Sequence, residues 1–244
     1  MLNFLFSSPY SRPCNFRPSD RLEIEVHYPF VGLLSPSDRR RFYKRLCALM
    51  RSVDLIEKGV ELTREDRLLI AAPAVILTMG YRRFHAGNFD KIFVYPRAYR
   101  KKGSNQYFHG ETSPRGVIVV NWKRVKEGIE DPDDALHLLY HEYAHALMIS
   151  KSGYRFREDK RFVKLVNRHL THMLKSSEVQ NSRLLRPYSL TNEHEFFACV
   201  IEEMMERADR LKEEHPKLYA LFLKLLQFEP YEPLLLRQAT WYRE

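Results

Sequence analysis

The stretch "LLYHEYAHALM", Leu138–Met148, decides how the rest of the chain is read. It sets two histidines four residues apart, with a glutamate directly after the first, inside an otherwise uncharged run. In an α-helix, residues i and i+4 project from one face about one turn apart. His141 and His145 can therefore hold one zinc ion through imidazole nitrogens at about 2.0–2.1 Å. Glu142 is rotated by roughly 100° from His141. That makes it a poor ligand for the same ion but stands its carboxylate beside the metal, where it can take a proton from a water the metal has made acidic. This is the physical reason for the His-Glu-x-x-His spacing.

A catalytic zinc needs a third protein ligand and an open fourth position. His137 lies a further four residues back, but it is about 12 Å along the helix axis from His145. It reads as a histidine behind the ligands or in the core. The metzincin extension requires Gly at 148 and His at 151; the chain has Met148 and Lys151, which excludes that class. What remains is a glutamate from another helix. Glu193, Glu195, Glu202, Glu203 and Glu206 compete. Glu195, Glu202 and Glu206 share one face with Cys199, and spacing alone does not choose among them.

Working outward, Asp131 can cap the motif helix, Pro132 suits its first turn, and Asp133 and Asp134 favour the positive helix end. Gly153 is a left-handed terminator. Upstream, "GVIVVNW" (116–122) and "DKIFVYP" (90–96) are β-branched and aromatic runs that read as strands, with a Gly- and Lys-rich loop over 97–115 between them. "LTREDRLLIAAPAVILTMG" predicts a buried helix behind Thr63, with Asp66 in capping-box position and Pro73 kinking or dividing it. "SPSDRRRFYKRLCALMRSV" predicts another, capped by Ser35 or Ser37. Downstream, Phe162 to Leu174 mark a long helix, residues 191–207 a helix behind Thr191 or Asn192, and "HPKLYALFLKLLQF" a last one. Residues 1–27, with Pro9, Pro13 and Pro18, read as an extended tail, and 28–244 as a single domain. Two strands followed mostly by helices give an α+β class, mainly helical, with a small mixed sheet before the motif helix.

Composition narrows the function classes. A hydrophobic share of 44% is that of a globular chain, and no apolar run approaches the ~18–20 residues of a membrane span. The N-terminus lacks a basic segment and a small-x-small cleavage site, so no signal peptide is read. The 3 cysteines, Cys14, Cys47 and Cys199, are odd in number and far apart. This argues against a disulfide framework and for a reducing, cytoplasmic compartment. Net charge is +9, clustered in 38–45, 97–102 and 151–164. No nucleic-acid motif accompanies these clusters, so they read as solvated faces, not as a nucleic-acid interface.

"YSLTNEHEFFA" (188–198) together with "HEYAH" resembles the gluzincin arrangement of the Mlc titration factor A peptidases, and is similar to the zinc domain of anthrax lethal factor. In both, a tyrosine lies seven residues before the glutamate ligand, and an aromatic-rich helix follows. Tyr188 and Glu195 have that spacing. "LTREDRLLIAAPAVILTMG", "FVYPRAYR", "RGVIVVNW" and "EEHPKLYALFLKLLQFEP" are similar to segments of the titration-factor family in the same order, so the likeness covers roughly residues 30–230. The resemblance implies a zincin-like domain in which His141, His145 and Glu195 bind Zn²⁺, Glu142 is the base and Tyr188 stabilises the oxyanion. It implies aminopeptidase-like action on short peptides, and a transcriptional repressor as a protein partner. The chain departs at Cys199, where other gluzincins keep an acidic group; Glu202 is the candidate to supply that carboxylate. A competing reading is a non-catalytic zinc-containing module that sequesters a regulator. A structural site would close all four positions with protein ligands, and only three good ones are visible here.

Overall fold

The computed structural model describes residues 14–82, 89–100, 107–152 and 157–229. α1 (Pro18–His27), α2 (Pro29–Leu33) and α3 (Pro36–Ser52) lead into β1 (Asp54–Glu57), and α4 (Arg64–Ile76) crosses to β2 (Lys91–Tyr95). A short antiparallel pair, β3 (Tyr99–Arg100) and β4 (Tyr107–Phe108), precedes β5 (Gly110–Ser113) and β6 (Val117–Asn121). Helices follow: α5 (Trp122–Glu130), α6 (Leu138–Ser152), α7 (Arg157–Leu165), a π-helical turn (Val166–Leu170), α8 (Thr171–Leu174) and α9 (Ser177–Gln180). A 3-10 turn (Pro187–Leu190) then introduces α10 (Glu193–Glu206), α11 (Ala208–Glu214) and α12 (Pro216–Leu226). The class is α+β, mostly helical with a small mixed sheet. Among the described residues no helix is long and apolar enough to cross a membrane.

The sheet order is β1-β2-β6-β5, with β1, β2 and β6 parallel and β5 antiparallel at one edge. Alternation along the two central strands buries Ile92, Val94, Ile118 and Val120, and the register pairs Ile92 with Ile118 and Val94 with Val120. These residues form one apolar face. α6 lies against β5 and β6, and α10 packs along α6.

α3 and α4 form as their capping residues predict. Ser35 accepts the Asp38 N–H, and Thr63 and Asp66 complete a capping box. α4 runs unbroken through Pro73, so the proline does not divide it. Pro73 cannot serve the Leu69 carbonyl, and the Tyr28 hydroxyl donates to it instead at 2.9 Å. The next carbonyl, Ile70, accepts the hydroxyl of Tyr143 on α6 at 2.7 Å. The proline gap thus becomes the place where α1–α2 and α6 hook onto α4.

Four other expectations are corrected. Residues 18–27 are not extended tail: Pro18 opens α1, and Ile24 is fully buried. A proline at the first helical position starts a helix where elsewhere it would break one. Cys14 and Cys47 are disulfide-bonded, with Cα atoms 5.6 Å apart, because α1 folds the preceding segment back onto α3. That bond removes the cysteine argument for a reducing compartment. α6 begins at Leu138, not at Asp131. The aspartates make turns instead: Asp131 Oδ1 accepts the Asp133 N–H and Asp134 Oδ1 the Leu136 N–H. The 97–115 segment contains β3, β4 and β5 where a loop was expected. Residues 1–13, Gly153 and 230–244, all part of the sequence reading, lie outside the described residues.

Asp20 anchors α1. Its fully buried carboxylate accepts Arg64 Nε at 3.0 Å and Nη2 at 2.8 Å, and the Arg17 N–H at 2.8 Å. The Arg64 guanidinium holds its pKa below the ordinary carboxylate value, against the opposing effect of burial. Asp20→Asn is expected to destabilise the fold by about 1.5–3 kcal/mol at neutral pH, the scale of hydrogen bonds to charged groups. Because the folded-state pKa is depressed, this contribution is present above the unfolded value of 3.8 and is lost as pH falls through the lowered one. Urea denaturation of both proteins across acid pH checks it: the gap between them should close as the pH drops.

Candidate metal centre

α6 and α10 bring His141, His145 and Glu195 together. Asn192 caps α10 by accepting the N–H groups of His194 at 2.9 Å and Glu195 at 3.0 Å, which places Glu195 in the first turn facing α6. His141 Nε2 lies 3.0 Å from Glu195 Oε2 and 3.1 Å from His145 Nε2, and His145 Nε2 lies 3.5 Å from the same Glu195 oxygen. Around a tetrahedral ion with bonds of about 2.0–2.1 Å, donor atoms stand about 3.3 Å apart. The triangle has that size.

The donor chemistry agrees. His141 Nδ1 is 3.0 Å from Glu202 Oε2. To donate to that carboxylate Nδ1 must carry the proton, which leaves a lone pair on Nε2 in the neutral ring. That lone pair faces the Glu195 carboxylate and the Nε2 of His145. A cation satisfies this convergence; without one, a second proton on His141 must. Burial disfavours a charged His141, but hydrogen bonds with Cys199, Glu195 and Glu202 outweigh it and hold its pKa well above the usual imidazole range. Glu195 is likewise disfavoured as an anion by burial, yet the two histidines hold it well below the usual carboxylate range.

A second grouping, His141, Cys199 and Glu202, is more deeply buried. Arg186 fills it: its guanidinium donates to Glu202 and, at 3.3 Å, to Cys199 Sγ. A metal ion there would meet a fixed positive charge. Cys199 is a core thiol, and Glu202 is the carboxylate behind His141.

Glu142 is buried under β5. Thr112 Oγ1 donates to Glu142 Oε2 at 2.8 Å and lies 3.0 Å from the Glu142 carbonyl oxygen. Two residues earlier on the same strand face, Gly110 leaves room for the carboxylate. A Cβ there would stand 2.2 Å from Glu142 Oε1 and 2.7 Å from Leu138 Cδ1. Burial lifts the Glu142 pKa, against the pull of His141, His145 and Thr112. Tyr188, on the 3-10 turn that Pro187 opens, is 52% exposed. Its ring tilts over His141 at 6.2 Å between centroids. Burial and the neighbouring Glu195 carboxylate push its phenol up to about 12. Gly110, Thr112 and Arg186 escaped the sequence reading. Only the glycine left a trace, as an unexplained small residue in an assumed loop.

A model of the glucose-regulated metallo-peptidase M90 family matches residues 10–227. The chain belongs to this family. It is 26% identical over 223 residues to the uncharacterized protein slr2042 of Synechocystis sp., covering 83% of this chain and 81% of that one. It is 24% identical over 198 residues to Mlc titration factor A of Pectobacterium atrosepticum, covering 73% and 71%. The family makes the chain a metallopeptidase with a metal cofactor and peptide substrates.

The clearance at Gly110 makes a prediction about packing alone. Gly110→Ala should cost about 1–3 kcal/mol, the usual penalty for overfilling a packed site. Most of that cost should vanish when Glu142→Ala is added. A thermal-denaturation double-mutant cycle checks it, and strict additivity would mean that the strand and the carboxylate do not press on one another.

Proposed function

We propose that the chain is a zinc metallopeptidase of gluzincin type, built on a zincin-like domain. In this reading His141, His145 and Glu195 hold the ion, Glu142 is the general base, and Tyr188 is the hydrogen-bond donor to the oxyanion. The observation that carries the proposal is the convergence of His141 Nε2, His145 Nε2 and Glu195 Oε2 within 3.0–3.5 Å, with the proton of His141 drawn to the opposite nitrogen by Glu202. Two imidazoles and one carboxylate suit zinc better than the hard cations calcium and magnesium.

A zinc ion held by His141, His145 and Glu195 would supply an acidified water and polarise the scissile carbonyl. Glu142 would take a proton from the attacking water. Thr112 fixes one of its oxygens, and the raised pKa from burial strengthens it as a base. The same carboxyl then returns the proton to the leaving amine. Tyr188 stays protonated at neutral pH, since its phenol is pushed up to about 12, and donates its O–H to the oxygen on which charge develops. It stands half-exposed beside His141. Action on short peptides from the N-terminus follows the family resemblance, as does binding of a transcriptional repressor, in keeping with a relative named as a titration factor of Mlc.

Glu142→Gln keeps the side-chain shape but cannot accept a proton. It is expected to retain about one zinc per chain and lose at least ~10²-fold in kcat on a short peptide, whereas Glu195→Ala loses the zinc itself. Metal analysis beside steady-state kinetics separates the two, and near-normal turnover in Glu142→Gln would end the proposal.

Tyr188→Phe deletes one O–H and keeps the ring. If the phenol meets the substrate only in the transition state, kcat should fall on the order of 10²-fold while KM stays nearly constant. Kinetics at matched zinc occupancy decide it; an unchanged kcat would remove Tyr188 from the mechanism.

A further inference from the structure

Four residues before His141, immediately ahead of α6, stands another histidine in different surroundings. His137 is 3% exposed, and its Nε2 is buried with no hydrogen-bond partner among the described residues. Its Nδ1 accepts the Tyr140 N–H at 3.4 Å, so the ring proton resides on Nε2, which is a donor without an acceptor. Burial pushes the imidazole pKa down to about 3, so the ring is neutral. One turn beyond Glu202, α10 carries Glu206. Both of its carboxylate oxygens are buried with no side-chain hydrogen-bond partner among the described residues, and only the Ala135 amide acts on them from the backbone. Burial first, then the charges of Asp134 and Glu202, push its carboxyl up to about 8; the Ala135 amide opposes them. An unsatisfied buried polar group costs about 1–3 kcal/mol. His137 Nε2–H has no acceptor among the described residues, and the Glu206 carboxyl has only the Ala135 amide.

Both groups line one cavity of about 280 Å³. Its floor is aromatic: Tyr28, Phe30 and Tyr140 are each at most 8% exposed. Its rim is Leu33, 56% exposed, and Pro132. The walls are built in. The Asp134 carboxylate holds the turn before His137 by accepting the Leu136 N–H at 2.8 Å. Ala135 sits at a positive φ of 54°. Gly128 of α5 admits this turn, since a Cβ there would lie 2.9 Å from His137 Cα. The volume is near the lower end of small-molecule pockets, about 300–1,000 Å³, and an apolar lining with a few convergent polar groups is their usual make-up.

We propose that this cavity, between the α1–α2 corner, the α5–α6 turn and the end of α10, binds a small neutral molecule with an aromatic body and a carboxamide. The amide oxygen accepts from His137 Nε2–H, and the amide N–H₂ donates to Glu206. A cation is disfavoured by the His137 donor, and a carboxamide matches both groups, its oxygen accepting from His137 and its N–H₂ donating to the Glu206 carboxyl oxygen. The site is separate from the metal centre and does not rest on the peptidase reading.

The test titrates benzamide, with benzene as the control lacking the amide, into the full-length protein by calorimetry and NMR. Saturable binding of one benzamide is expected, with benzene at least tenfold weaker and the His137 Nε2–H resonance shifting during the titration. Glu206→Leu and His137→Phe should each weaken benzamide at least tenfold, about the worth of one hydrogen bond. Glu195→Ala, which disables the metal centre, should leave it unchanged. Absence of saturable binding to the wild type would mean that the cavity takes only water and would overturn the proposal. So would binding that leaves the His137 resonance unmoved, or binding lost in Glu195→Ala. The resonance is read in the wild type, so the outcome does not depend on the variants folding.

Discussion

Everything at the centre depends on His141 being held between two carboxylates of one helix. Glu202 takes the proton on Nδ1, and Glu195 faces Nε2. Those two glutamates lie seven residues, about two turns, apart on α10, so both reach α6 from the same side. The arrangement is expensive, because Glu202 is 2% exposed in a wall of Phe196, Phe197, Val200 and Ile201. Arg186 makes it tolerable by placing a guanidinium against the carboxylate, and a buried ion pair stands only when its remaining hydrogen-bonding capacity is used. The neighbouring Glu203 is treated in the same way by Arg207. Apolar packing around these pairs fixes how α6 and α10 cross, and the crossing fixes the ligand triangle.

The sheet supplies the other half. β5 pairs antiparallel with β6, and its side chains alternate between the two faces. Gly110 and Thr112 fall on the face toward α6, where one yields space and the other a hydrogen bond to Glu142. The carboxylate is therefore positioned by a strand, while the metal-facing groups are positioned by helices. A base set apart from the ligands in this way is kept off the ligand triangle, because the Thr112 hydroxyl donates to its carboxylate.

What the sequence makes legible follows the range of the interaction. Capping is local, and Ser35, Thr63 and Asp66 act as read. The β-branched alternation of 91–95 and 117–121 is local too, and both strands are present. His141 and His145 share a turn, so their common face is readable from spacing. Glu195 was one of several equivalent glutamates until the family resemblance singled it out; choosing it by physics requires the α6–α10 crossing, which no periodicity encodes. Thr112 and Gly110 act across 30 residues or more, and "GETS" has no strand propensity of its own, so β5 exists because β6 offers it an edge. The aspartates before α6 misled for the opposite reason. Short-range turn bonds and a helix cap use the same residue types, and here the turns won.

The two helices meet along an antiparallel polar seam. His145 and Glu195 stand at one end, His141 between Glu195 and Glu202 in the middle, and His137 and Glu206 line one cavity at the other end. Histidines recur every turn from 137 to 145, yet among the described residues the His137 Nε2 has no hydrogen-bond partner. Reading the seam as decoration of a helix interface fails at Glu206, because a buried carboxyl with only a backbone amide beside it stabilises less than an apolar side chain of similar size. Proteins retain such groups where function requires them and offset the cost elsewhere. The same physical reasoning that reads the converging lone pairs of His141 and His145 as a place for a cation reads the unpaired donor of His137, on one cavity with the Glu206 carboxyl, as a place for a neutral ligand. The two sites differ in kind because Glu195 and Glu202 each face a histidine or arginine within the chain, whereas burial pushes the Glu206 carboxyl up to about 8.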